Sequence, residues 1–261
     1  MLLKAYIDDS WDGSREVVTV AGAYLAYPKQ WNPLRDAWRK ALKRGGINFF
    51  HSTEYYSLRG EFLQFRDPVK YPKPAGSDAA KAIRAELFKI IQKSKIAGFA
   101  VALPIGVYED VLRDEPYAAE ILPPKDQAFK IAVQELFALL ARTLIEKKWA
   151  KRIAFVYDRS DEFPAIYSVF QGFTRLNPTF ANYMTTIVPL DDKRYPQLQA
   201  ADVMAHMGRE RYTEWLNDTS QSKPELQSRL ADLGVARLVH VTHDRLVALV
   251  RHEAKRRGLQ G

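Results

Sequence analysis

Residues 2–27 read LLKAYIDDSWDGSREVVTVAGAYLAY. Leu2–Ile7 is a short apolar run ending in Asp8 and Asp9, and Val17–Tyr27 is a second apolar run. Asp12-Gly13 between them is a pair favoured at hairpin turns. The chain is therefore expected to open with a β-hairpin, with Asp8 where strand one ends. A third strand is expected over Ile96–Ile105. A fourth, IAFVY over Ile153–Tyr157, is followed at once by Asp158, and a fifth covers Met184–Leu190.

Helices are expected between these strands. One runs over Trp31–Lys43 and is closed by Gly45-Gly46. Phe49–Tyr56, FFHSTEYY, fits either helix or strand, and the Pro-rich Asp67–Gly76 is a loop. Ser77 or Asp78 can cap a helix whose apolar face is Ile83, Leu87, Ile90 and Ile91. The clearest helix spans about Asp126–Trp149. There Phe129, Val133, Leu136, Leu140 and Leu144 form one apolar stripe, which serves either as core or as the seam of a homodimer. Further helices are expected over Glu162–Leu176 and from near Gln197. Beyond Lys223, two helical pieces flank the apolar run Leu238–Val241.

This alternation implies an α/β or α+β sheet with helices packed on it. The five strands and their helices make one domain over residues 1–220, with a helical insertion at about 28–78 after strand two. Residues 221–261 read as a C-terminal helical extension.

Composition narrows the chemistry. The 261 residues are 47 % hydrophobic and 27 % charged, which suits a folded globular chain and excludes extended disorder. There is no cysteine, so disulfides, thiolate metal sites and thiol nucleophiles are excluded. The formal net charge of +8 favours polyanionic partners such as DNA or RNA. No apolar run is long enough to span a bilayer, and MLLKAYIDD lacks the pattern of a signal peptide. A cytoplasmic protein without membrane contact is expected. No GxGxxG, P-loop, G-x-S-x-G or H-E-x-x-H pattern is present.

What remains is a set of carboxylates in apolar company. Asp8 and Asp158 each follow an apolar strand, and strand ends are where sites collect in such sheets. Asp202 stands within LQAADVMA, residues 198–205, on a segment otherwise almost wholly apolar. Gln199, Asp202 and His206 lie three and four apart, on one helix face. Ionised carboxylates in such places need a compensating partner, and a divalent cation holds several at once. The rival readings are an Asp that merely starts a turn, and an Asp202 paired with a buried Arg or Lys.

Together, YIDDS, FFHSTEY, VYDRS and LQAADVMAH resemble an uncharacterised family, the domain of unknown function numbered 3800. The similarity spans roughly Leu3 to Gly208, with Leu198–Asp202 its most specific part. The resemblance implies a ribonuclease H-like fold, a mixed five-stranded sheet with helices on both sides, and a metal-dependent nuclease site. Carried over by position, Asp8, Asp158 and Asp202 become catalytic ligands of Mg²⁺ or Mn²⁺. Glu54 becomes a fourth carboxylate and His51 a catalytic neighbour. Gln199 is then an orienting residue, and Asp9 a lower-ranked ligand. His51 or His206 could move protons, since histidine titrates near neutral pH. The chain departs from the family in carrying Asp8-Asp9-Ser10-Trp11 where Asp-Glu-Ser-Gly is usual.

The expected function is a divalent-metal-dependent nuclease that hydrolyses phosphodiester bonds of DNA or RNA. The alternative is a non-catalytic nucleic-acid-binding or regulatory module on the same fold. Candidate phosphate contacts are Arg39, Lys40, Lys43 and Arg44, and the tail residues Arg251, Lys255, Arg256 and Arg257. Trp11, Tyr55 and Tyr56 are candidate base-stacking residues or, alternatively, packing groups.

Overall fold

The opening hairpin is held by one side chain. Asp12 accepts the backbone N–H groups of Glu16, Val17 and Val18, each at 3.0 Å, and the Ser14 hydroxyl. Burial works against its ionisation, yet these four bonds hold its carboxyl well below the usual range. A computed structural model describes residues 2–12, 14, 16–149, 151–218 and 235–259, so Gly13 of the expected turn pair lies outside the described residues.

The hairpin strands are β1 (Leu2–Trp11) and β2 (Val18–Ala26), followed by β3 (Ala97–Pro104), β4 (Arg152–Asp158), β5 (Met184–Leu190) and β6 (Val235–His240). They form one sheet in the order β5-β4-β1-β2-β3-β6. β1, β2 and β3 run as an antiparallel meander. β4 is parallel to β1, β5 to β4, and β6 to β3. The helices are α1 (Pro28–Gly45), α2 (Ser52–Ser57), α3 (Ala75–Lys93), α4 (Ile105–Asp114) and α5 (Ala118–Ile121). They continue as α6 (Phe129–Glu146), α7 (Phe163–Leu176), α8 (Pro178–Ala181), α9 (Pro196–Asn217) and α10 (His243–Arg256). No helix among the described residues is long and apolar enough to cross a membrane.

Helices cover both faces, which is why the central strands are continuous apolar runs. Strand side chains alternate between the two layers. Leu3, Ala5 and Ile7 of β1 join Phe155 and Tyr157 of β4 in a core with α6, α7 and α10. Tyr6 and Val156 face the other way, into a core with α1, α3 and α9. Phe129, Val133, Leu136, Leu140 and Leu144 are all buried in the first core. The α6 stripe is thus internal packing of this chain.

The structure corrects the expected strand number from five to six. The run Leu238–Val241 belongs largely to β6, which pairs with β3, so the C-terminal region is not purely helical. Its backbone covers an edge that β3 would otherwise leave open. The helical piece expected just beyond Lys223 lies outside the described residues up to 234. α3 begins at Ala75, ahead of the expected caps Ser77 and Asp78, with Pro74 as its N-cap. FFHSTEYY is extended as far as His51 and helical from Ser52.

α9 packs on β1 and β2 at very close range. A methyl built on Gly22 would stand 2.5 Å from the Ala205 nitrogen and 2.8 Å from its Cα, so no side chain fits there. Gly208 of α9 makes a second close approach, to Val20 and Ala100. Gly22→Ala should therefore destabilise the protein by about 1–3 kcal/mol, as overpacked cores do. Gly106→Ala, whose methyl meets nothing within 4 Å, should be neutral or stabilising. Urea unfolding of the two variants measures the difference.

Candidate active site

Ile7 pairs with Tyr157 across the parallel strands β1 and β4. The next residues, Asp8 and Asp158, therefore stand side by side at the C-terminal ends of these strands. By alternation both point to the α9 face, on the side of Tyr6 and Val156. Asp202 comes down on this place from α9 and is only 7 % exposed. Asp8 and Asp158 are half-buried.

The acids act on one another's ionisation. Burial raises the Asp8 carboxyl well above the usual carboxylate range, and the charges of Asp202, Asp9 and Asp158 raise it further. Its one opposing bond is the Asp9 N–H, at 2.9 Å. Burial likewise raises Asp202, against the pull of His51, of the Ser52 N–H at 2.7 Å and of His206. Asp158 is raised by burial and held back by the N–H groups of Asp192 and Arg159 and by His51. None of the main influences on these carboxyls is a lysine or arginine side chain.

A fourth acid belongs to the group. Asp192, half-buried after β5, is raised by burial and by Asp158 and Asp202, with His51 opposing. The sequence reading passed over it, although Asp191-Asp192 follows an apolar strand just as Asp8 and Asp158 do. His51, half-buried as the N-cap of α2, is the neighbour that opposes the upward shift of Asp158, Asp192 and Asp202 alike.

Gln199 fixes this arrangement from beneath. Its buried Oε1 accepts the Trp38 indole N–H at 2.8 Å and the Phe50 N–H at 3.1 Å, while its Nε2 donates to the Asp192 carbonyl at 2.8 Å. It thus joins α1, the His51 segment and the β5–α9 connection. Three of the four hydrogen-bonding positions of the amide are thus taken up within the protein.

Other candidates lie elsewhere. Glu54 turns to the turn that follows α2, where its carboxylate accepts the Glu61 N–H at 2.9 Å and packs on Gly60. Asp9 points to the opposite face and bonds the Trp11 indole at 2.8 Å and the Tyr157 hydroxyl. His206 borders the site: it stacks on Tyr56 at 4.3 Å and lies 3.6 Å from Glu210. Trp11 packs on Phe129 and Tyr55 is buried between Phe50 and Phe62, whereas Tyr56 is 42 % exposed. Arg251 pairs with Glu115, Arg256 and Arg257 pair with Glu253, and α10 lies on the face away from Asp8. The tail is therefore no part of the surface around the acids. Arg44 pairs with Glu86, and Arg39 reaches the Arg194 carbonyl at 3.4 Å.

Oxygen donors with an imidazole beside them suit a hard divalent cation such as Mg²⁺ or Mn²⁺. The donor set fits such a cation in chemical type. Among the described residues, however, no three His, Asp or Glu side chains stand together as a ready-made ion site.

No family model matches the chain, and no curated protein is significantly similar to it. Among solved structures it is similar to the structure of the PCNA:RNase HII complex from Archaeoglobus fulgidus, at 18 % identity and a TM-score of 0.38. The match covers 98 % of this chain and 90 % of that one.

Two expected outcomes follow from the geometry. Gln199→Leu should cost about 1–3 kcal/mol for each donor left without an acceptor, at Trp38 and Phe50, which chemical unfolding reads directly. The second concerns pH. Because the folded state raises the Asp8 carboxyl, its contribution is intact below the unfolded value of about 3.9 and is lost as pH rises through the folded value. Asp8→Asn should then raise the melting temperature of the metal-free protein at neutral pH, by about 2–4 °C per kcal/mol of repulsion relieved. The gain should vanish below about pH 4; an equal gain at both pH values would point away from charge repulsion.

Proposed function

We propose that the chain is a divalent-metal-dependent phosphodiesterase with a ribonuclease H-like fold, acting on DNA or RNA. One observation carries this reading. Carboxylates from β1, β4 and α9, far apart in sequence, share one end of the sheet and act on one another, and among the described residues none of the main influences on them is a lysine or arginine side chain. The mixed sheet with helices on both faces is the architecture that the resemblance to the domain of unknown function numbered 3800 implies. The net charge of +8 suits a polyanionic substrate.

In this reading Asp8, Asp158 and Asp202 hold Mg²⁺ or Mn²⁺, and Asp192 joins them as the further carboxylate in place of Glu54. The bound cation supplies charge neutralisation at phosphate and an acidified water. His51, central to Asp158, Asp192 and Asp202, accepts or returns a proton at the reacting centre. Gln199 keeps the His51 segment and Asp192 in position through the Phe50 N–H and the Asp192 carbonyl. Tyr56 is exposed beside the site, with His206 stacked on its ring and Arg84 over it.

A second reading, a nucleic-acid-binding module without turnover, draws on the lack of a ready-made ion site among the described residues. It requires salt-dependent binding and no cleavage with any metal.

Purified protein should cut labelled DNA or RNA in Mg²⁺ or Mn²⁺ and stop on chelation. Asp202→Asn should reduce cutting to background while leaving the circular dichroism spectrum unchanged. Cutting that survives both chelation and the substitution would falsify the site.

A further inference from the structure

A groove of about 570 Å³ opens between α6, α7 and α10, with Leu122 and Phe180 at its margins. It lies on the α6 side of the sheet, away from Asp8 and Asp202. Its size is that of sites for small organic ligands, roughly 300–1,000 Å³. Ile131, Val169, Phe173 and Leu249 give it an apolar wall.

Its charges do not balance. Lys130, Arg245, Arg256 and Arg257 line it against only two carboxylates, Glu135 and Glu253. Glu135, 6 % exposed, takes Arg245 through two bonds of 2.8 and 3.1 Å and also has Arg142 at 3.6 Å. Glu253 serves both Arg256 and Arg257. Lys130 bonds the neutral Gln127 amide and has no carboxylate partner among the described residues. The half-buried Gln134 side chain, also in the lining, makes no hydrogen bond among the described residues.

Gly172 adds an independent sign. It sits inside α7, where glycine weakens a helix relative to alanine. A Cβ built there meets nothing within 4 Å, so no packing neighbour excludes a side chain. What the glycine leaves is room in the groove that it lines.

We propose that this groove binds one free amphipathic anion. Its apolar body would lie on Phe173 and Leu249, and its carboxylate, sulfonate or phosphate head would meet the cationic lining beside Lys130. This inference is independent of the phosphodiesterase reading.

Anilinonaphthalene sulfonate and laurate, added to the full chain, test it. The dye should bind saturably at one site per chain, be displaced by laurate, and bind more weakly as salt is raised. Gly172→Trp should fill the groove and lower dye affinity about tenfold or more, and Lys130→Glu should lower it several-fold, both with unchanged circular dichroism. If Gly172→Trp does not fold, Gly172→Leu and Lys130→Glu carry the test. Unchanged affinity in the folded variants, several equivalent sites, or binding of laurate only when it is presented in vesicles would overturn the proposal. Cleavage of nucleic acid should not change in any of these variants, so the two proposals fail separately.

Discussion

Helix α9 lies so close to β2 that only a glycine fits between them. Gly22 is the cross-strand partner of Asp8, and its missing side chain lets the Ala205 backbone reach the sheet. This contact sets the height of Asp202 above the strand ends. A larger residue at position 22 would lift the helix and part the acids. The candidate site therefore depends on a packing constraint in a place where no chemistry occurs.

The electrostatics then follow from the packing. Carboxylates drawn out of water lose hydration, and here their neighbours are mostly other carboxylates. Backbone N–H groups and the two histidines moderate the repulsion without cancelling it. The neutral scaffold under them is well satisfied, since Gln199 makes three hydrogen bonds to three separate segments. A buried amide tied to three segments holds them in fixed relation beneath the acids.

Much of this was legible in the sequence. Apolar runs made β1, β2, β3 and β4 readable, and the Asp after an apolar strand marked Asp8 and Asp158. The position of Asp202 among Ala, Val and Met pointed to a buried acid, and Asp202 is buried. Other features were hidden because they depend on contacts between distant segments. Glu54 is three residues from His51, but a turn of helix and the Glu61 N–H carry its carboxylate elsewhere. Asp9 is adjacent to Asp8, and strand alternation sends it to the other face. Asp192 had the same local signal as Asp8, yet only the Gln199 bond to its carbonyl reveals how it is held beside the others. The strand β6 is short, and its partner β3 lies well over a hundred residues earlier, so local periodicity does not reveal the pairing.

That last pairing has a consequence for the order in which the chain matures. During synthesis β3 emerges early with one flank already occupied by β2. Its other flank stays bare until β6, well over a hundred residues later in the chain, has also been made. For that interval the nascent chain presents an unpaired strand edge, the kind of surface on which chains associate wrongly. β6 thus acts as a seal on a sheet whose other strands all precede it in the chain.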